Sequence, residues 1–343
     1  MNSEKPIRLQ DIALKAGVSR ATVSLALRNH PSVSRPVREK IQRLAGQLGY
    51  RPNPLVSALM AFHRAAKPVV AASLPLALVI EATHQDPMAL YLSPDLIAGA
   101  TAAAQRHGYR LEQFWREEMT DKRLSQVLFA RGILGLIIAP LPVPAGELNL
   151  DWSKFSAVAI GETLVRPDLH RVTTNRFRAM RLAIERLRQM GYRRIGLAMR
   201  AGWDDRVINQ WSAAFLWEQQ HDLASQGVPL FIVNDADWTE RQFAAWFNQN
   251  QPEVILGCEE AIVCWLEKLG RKVPDAIGFA HLWSEYSGGR FAGLNHHPAA
   301  HGAAAVDLLV AMIHRNERGV PEMPQVVQLK ASWADGPSLR CRR

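Results

Sequence analysis

Between Pro75 and Pro337 the chain alternates short apolar runs with longer amphipathic stretches, a rhythm that few folds accept. The runs at 76–80, 110–114, 134–139, 157–161, 194–198, 230–233, 254–256 and 276–280 are of strand length, and most are apolar nearly throughout. Helical spacing fills the intervals, clearest at 95–107, 178–190, 241–248 and 261–269. A strand that is apolar on both sides must be covered on both sides, so this alternation predicts parallel sheets flanked by helices. The span is long enough for two such lobes. At 343 residues the whole chain leaves room for a further small domain.

That small domain stands at the amino end, where the charge is concentrated. The first 64 residues hold eleven Lys and Arg against three Asp and Glu, a surplus of eight, while the whole chain has a net charge of +9. Cationic charge confined to one terminal module points to contact with a polyanion, here DNA, rather than to a generally adhesive surface. Within it, Leu9, Ile12, Ala13 and Ala16 fall on one helical face and Gly17 follows where positive φ is needed. Val18 plugs the junction and Ser19 is placed to cap a second helix carrying Val23, Ala26 and Leu27 inward. Helix, glycine turn and helix form the helix-turn-helix pattern, whose second helix enters the major groove by its N-terminal end. Ser34 and Pro36 open a third helix with Val37, Ile41, Leu44, Ala45 and Leu48 as its apolar stripe and Arg35, Arg38, Lys40 and Arg43 on its other faces. Beyond Gly49, Asn53 and Pro54 can start one more short helix over 55–60, too short to order without a partner.

The series Asp11-Ile12-Ala13, Ala16-Gly17-Val18-Ser19, Thr22-Val23-Ser24, Val33-Ser34, Arg38, Ile41, Leu48-Gly49-Tyr50 and Pro52-Asn53 resembles the headpiece of the LacI/GalR family of bacterial transcription regulators. The likeness continues more weakly in Gly135 to Ile138, Arg186 to Gly196 and Pro274 to Phe279. It implies an all-α, lambda-repressor-like headpiece over 1–52, a hinge helix and linker over 53–68, and a two-lobed α/β module over 69–340 similar to periplasmic sugar-binding proteins. The implied activity is repression of transcription by a homodimer on a palindromic operator, under control of a small molecule, a sugar or sugar derivative, held between the lobes. The family's minor-groove leucine corresponds to Leu59, where unstacking is offset by the contacts that bent DNA allows. Arg20 and Ala21 open the reading helix, and Arg20 has the fork to read a guanine. Leu25 stands where the family often has a polar reader and offers apolar contact to a thymine methyl. Ser19, Thr22, Ser24, Arg28 and Ser32 suit phosphates, though capping or plain surface duty would explain each as well. Leu9 completes this set.

Ligands in such sheets sit beyond the carboxyl ends of strands. Thr174 and Ala280 stand there in place of the Asp common in the family, so the usual effectors are not implied. The candidates nearby are His84, Thr174, Arg200, Trp203, Trp211, Glu259, His281 and Trp283. The indoles suit stacking on a sugar face or a place in the core, and Glu259 and Glu260 would equally serve the start of the next helix. His296, His297 and His301 invite a metal reading, but neither H-E-x-x-H nor paired cysteines accompany them, so no metal is expected. Cys258, Cys264 and Cys341 are too few for a disulfide framework. No G-x-G-x-x-G, P-loop or nucleophile–base pattern occurs, so neither a cofactor nor catalysis is expected. The opening residues lack an apolar stretch and no run of 18 apolar residues exists, which points to a cytoplasmic, nucleoid-associated protein. The final residues carry no leucine heptad, so a dimer is favoured over a tetramer. A sugar carrier or sugar-processing enzyme with an incidental basic module is the rival reading, and a non-specific architectural DNA binder a third.

Overall fold

The computed structural model describes residues 9–27, 32–48, 74–81, 92–116, 119–221 and 227–342. The anticipated hinge helix and linker with Leu59 lie outside them, as do Arg28 and His84.

Helices α1 (Leu9–Ala16), α2 (Arg20–Leu27) and α3 (Arg35–Gln47) form the amino-terminal module. Gly17 takes φ +69° between the first two, and the Val18 amide donates to the Ala13 carbonyl. Ser19 caps α2, its hydroxyl accepting from the Thr22 amide at 3.0 Å. Ser34 sits at the cap of α3, but its hydroxyl makes no capping bond. Ile12, Ala13, Ala16, Val23, Ala26, Val33, Ile41 and Ala45 form the shared core. Gln42 of α3 donates to the Ala26 carbonyl at 3.2 Å, fixing the C-terminal end of α2.

The larger part holds two lobes. The first contributes β1 (Leu74–Ile80), α4 (Pro94–Arg106), β2 (Tyr109–Trp115), α5 (Asp121–Ala130), β3 (Gly135–Ile138), β4 (Gly146–Glu147), β5 (Ser156–Ile160), β6 (Leu164–Arg166) and β7 (His170–Thr174). The second begins with α6 (Arg176–Gln189), β8 (Ile195–Arg200), α7 (Ala201–Asp205), α8 (Gln210–His221) and β9 (Phe231–Val233). It continues through α9 (Glu240–Asn250), β10 (Val254–Gly257), α10 (Ala261–Lys268), β11 (Gly278–His281) and β12 (Ala292–Asn295). The chain then returns to the first lobe with α11 (Pro298–Arg315) and β13 (Val326–Leu329), and ends in the second with β14 (Ser332–Ala334).

The first sheet runs β13-β7-β5-β3-β1-β2, parallel throughout. The second runs β14-β12-β11-β10-β8-β9, parallel except for β14 against β12. Successive residues alternate faces, as a strand requires. Leu76, Leu78 and Ile80 pack on the α4 and α11 side, while Ala77 and Val79 pack on the α5 side. In the second lobe Leu197, Met199 and Leu256 meet α6 and α8, and Ala198, Ile255 and Phe279 meet α9 and α10. The eight expected strands are present, as are the helices expected at 95–107, 178–190, 241–248 and 261–269, their ends within a few residues of where the spacing set them. No helix among the described residues is long and apolar enough to cross a membrane.

Helices α4 and α11 approach closely because each presents a glycine to the other's backbone. A Cβ on Gly99 would lie 2.0 Å from the Ala299 carbonyl oxygen, and one on Gly302 2.2 Å from that of Leu96. Backbone cannot yield as a side chain does, so added bulk must push the helices apart. Gly99→Ala should therefore lower stability by roughly 1–3 kcal/mol in urea unfolding, and an unchanged midpoint would mean the helices are free to separate.

Candidate nucleic-acid interface and ligand cleft

The second helix of the amino-terminal module presents Arg20 and Ala21 exposed at its N-terminal end, where backbone amides and a cation can meet a duplex together. Ser19 and Ser32 are exposed, while Thr22 and Ser24 are half-buried. The Ser19 hydroxyl also contacts the Thr22 hydroxyl at 2.9 Å, so both serve the cap. Leu9 and Leu25 are half-buried and pack against the module's own core, which shrinks the apolar surface that Leu25 was expected to offer to a base.

A cavity of about 830 Å³ lies between the lobes, within the size range of small-molecule sites. Its walls come from the carboxyl ends of strands in both sheets. The first lobe supplies Glu162 and Thr163 after β5, Thr173 and Thr174 of β7, and the start of α4 at Ser93. The second supplies Trp203 and Arg206 after β8, Cys258 after β10, His281, Trp283 and Glu285 after β11, and His296 after β12. The indoles of Trp203 and Trp283 stand 5.4 Å apart at 45°, a tilted pair that gives the wall an aromatic face.

Of the ligand candidates read from the sequence, Thr174, Trp203, His281 and Trp283 line this cavity. Trp211 does not: it is fully buried in the second lobe's core, edge-on to Trp283. Arg200 and Glu259 are absent from the lining too, because they satisfy each other, Arg200 Nε donating to Glu259 Oε1 at 2.5 Å. That carboxylate oxygen also accepts from Trp203 Nε1 at 3.1 Å and so holds the indole in the wall. The neighbouring Glu260 pairs with Arg290. Sequence reasoning did not single out Glu162, Arg176, Arg206 or Glu285, which carry much of the cleft's charge. Their signal was present, since each lies within three residues of the end of a strand or of a residue already chosen.

His296 and His301 were weighed only as metal ligands and have a different place. Thr174 Oγ1 lies 3.2 Å from His296 Nδ1 and 3.1 Å from His301 Nε2. His296 Nε2 sits 2.7 Å from the Leu282 carbonyl and must carry the proton there. Its Nδ1 is then an acceptor, so the Thr174 hydroxyl donates to it, while His301 also places Nδ1 3.3 Å from the His297 carbonyl. Among the described residues, no group of three or more His, Cys, Asp or Glu converges in a way that could hold a metal.

Guanidinium groups divide sharply by their partners. Arg171 of β7 donates to Glu162 at 3.1 Å, to Asp168 at 2.7 Å and to the Gly161 and Leu164 carbonyls. Arg206 donates across the cleft to the Pro142 carbonyl at 2.6 Å. Arg176, only 9% exposed, donates to the Thr173 hydroxyl at 2.9 Å, and its Nε is buried without a partner. Burial pulls its pKa down to about 10, with Glu162 opposing that shift and Arg206 adding to it; the group is still a cation at neutral pH.

The described residues thus combine a helix-turn-helix module with two parallel-sheet lobes around a cleft, a periplasmic-binding-protein-like body. Residues 8–53 match the model of the bacterial regulatory proteins, lacI family. Over 52 residues it is 44% identical to the HTH-type transcriptional repressor CytR of Escherichia coli (strain K12), covering 15% of each chain. Over 192 residues it is 27% identical to the HTH-type transcriptional regulator PtxS of Pseudomonas plecoglossicida, covering 55% of this chain and 52% of that one. The chain thus spans from under a sixth to about half the length of these relatives. Among solved structures, the CelR–cellobiose complex has the same fold at a TM-score of 0.56 and 19% identity, covering 97% of this chain and 99% of that one. The lac repressor dimer bound to operator and the anti-inducer ONPF follows at a TM-score of 0.54, with the same identity and coverage.

Burial gives the cleft a defined pH response. His281 and His296 are pulled down to about 4 and about 3. Unfolded histidine titrates near 6.5, so below that pH the unfolded chain takes up protons that the folded one refuses, and stability is lost as pH falls. Glu285, pushed up to about 7 by burial, acts in the opposite sense. It keeps a proton that the unfolded chain gives up near 4.3, so its share of stability is lost as pH rises through that window. Between about pH 6 and about pH 4.5, His281→Gln should flatten the decline in unfolding free energy by about 1.4 kcal/mol per pH unit. Parallel curves for the variant and the unaltered chain would mean that His281 is not held neutral.

Proposed function

We propose that this chain is a sequence-specific DNA-binding transcription repressor, acting as a homodimer under control of a small molecule, a sugar or sugar derivative, bound between its lobes. The observation that carries the reading is the exposed Arg20–Ala21 end of α2 on a packed helix-turn-helix, within a chain that also encloses a two-walled cleft. Residues 1–52 form the reading module, 53–68 the hinge and linker with Leu59 as minor-groove wedge, and 69–340 the effector and dimerisation part. Arg20 reads a guanine edge, while Ser19, Thr22, Ser24, Arg28 and Ser32 position the module on phosphates. Leu9, Ala21 and Leu25 complete the surface at the groove. Thr174, Trp203, His281 and Trp283 contact the effector, and His84 belongs to the same set. The protein works by binding rather than turnover, on nucleoid DNA in the bacterial cytoplasm.

Several features support this reading. The family match covers the module that would touch DNA. The structural neighbours include a cellobiose complex and a repressor dimer on its operator. Two headpieces on a symmetric dimer would read half-sites about 10 bp apart, one helical turn.

Selection of binding sequences with the full chain, followed by footprinting, should give a palindromic site. Arg20→Ala should relax the preference at one position of each half-site by about 1–3 kcal/mol while leaving the other positions intact. Equal affinity for random and selected DNA at matched salt would refute sequence-specific reading and favour an architectural role.

A further inference from the structure

Two guanidinium groups, Arg171 of β7 and Arg176 at the start of α6, and one carboxylate, Glu162, are buried near the cleft, and of these Arg176 and Glu162 line it. Glu162 gives its hydrogen bond to Arg171, which has Asp168 and two carbonyls besides. Arg176 is left with a single neutral hydroxyl, and its Nε faces no acceptor. A cation removed from water without a full set of acceptors is costly, and proteins keep such a group where a ligand completes it. Arg176 lines the same cavity as Trp203 and Trp283. The other guanidinium in its lining, Arg206, already spans the lobes to Pro142.

We infer that the cleft takes an anionic small molecule, its carboxylate or phosphate docked on Arg176 and the rest of its body lying against Trp203 and Trp283. A planar guanidinium offers two parallel N–H groups to either acid, which a neutral hydroxyl group does not match. The inference rests on the reading of this cavity as the effector site and narrows it, within sugar derivatives, to those bearing an acidic group. The Glu162 carboxylate beside the guanidinium sets the limit: it steadies Arg176 as a cation, but its one described hydrogen bond is committed elsewhere. The acid group of a ligand therefore meets a charged donor whose partner set is incomplete.

The test is calorimetric titration of the full chain with glucose and galactose and with the uronate, aldonate and 6-phosphate of each. At least one acid should bind, with its neutral parent at least about tenfold weaker. Which acid binds decides between carboxylate and phosphate. Arg176→Gln should weaken that acid by roughly ten- to a hundredfold without lowering the melting temperature of the ligand-free protein, since it removes a poorly satisfied buried charge. Arg176→Lys, which keeps the charge but loses the fork, should fall between the two. A neutral sugar that binds as tightly as its acid, or an acid whose affinity survives Arg176→Gln, would overturn the inference and leave the cleft as an effector site. If no member of the set binds, the inference and the sugar-effector reading fall together.

Discussion

The chain passes between its lobes three times, between residues 174 and 176, 295 and 298, and 329 and 332, and these passages are tied to one another. The Asn175 amide donates to the Leu329 carbonyl at 2.9 Å, and its side chain to Gln328 at 2.8 Å, which joins the first passage to the third. Thr174 touches His296 and His301 on either side of the second. The Thr174 contacts to His296 and His301 are buried, so breaking either would strand a polar atom away from water, at about 1–3 kcal/mol each. Three covalent strands prevent the lobes from separating, and the bonds among them prevent sliding. What remains is a pivot. The Arg206 bond to Pro142, away from that seam, is then a contact that a pivot would break or make.

The same seam explains where the chemistry collects. All strands of the first sheet and most of the second run parallel, so their carboxyl ends face the cleft together and the loops that leave them converge on one volume. Most strands need only apolar side chains to hold them. The segments that leave them are under no such demand, and they carry Glu162, Arg206, Glu285 and the two cleft-lining tryptophans. The charged groups of the cleft therefore belong mainly to these segments rather than to the sheets.

This division also accounts for what could be read in advance. Central strands such as 76–80 and 254–256 are apolar because both faces are covered, and that signal survives in the linear chain. Strand β7 is just as buried, yet its sequence, His-Arg-Val-Thr-Thr, looks like a loop. It can be buried only because Arg171 finds four acceptors and Thr174 two imidazoles, none of them near in sequence except Asp168. Helix α8 has apolar residues on both sides, with Trp211 and Phe215 in the core and Leu216 and Trp217 outward, which smears the helical period. Strands β12, β13 and β14 are short, and β13 lies at an edge, where alternation replaces a continuous run. The headpiece was legible in full as far as it is described, because its turn needs one glycine and its core is made of near neighbours. In the cleft, Trp203 and Trp283 were found by residue type, whereas Trp211 and the Arg200–Glu259 pair were misplaced because partnership depends on the third dimension.

A pivot between lobes has consequences for any molecule bound inside. The cavity takes Thr173 and Thr174 from one side of the seam's first passage and Arg176, Trp203, His281 and Trp283 from the other. Rotation about the seam moves these walls relative to each other, so a ligand that spans them loses contacts in one of the two arrangements. It must then bind the two states with different affinities, and that difference alone sets how far it can shift them. A ratio of about a hundredfold corresponds to about 2.7 kcal/mol. That is comparable to the one or two buried hydrogen bonds that a pivot would exchange. A ligand confined to one wall, however tight, would shift nothing. A ligand that touches Thr173 and Thr174 on one side and the aromatic wall on the other would therefore be one able to bias the pivot.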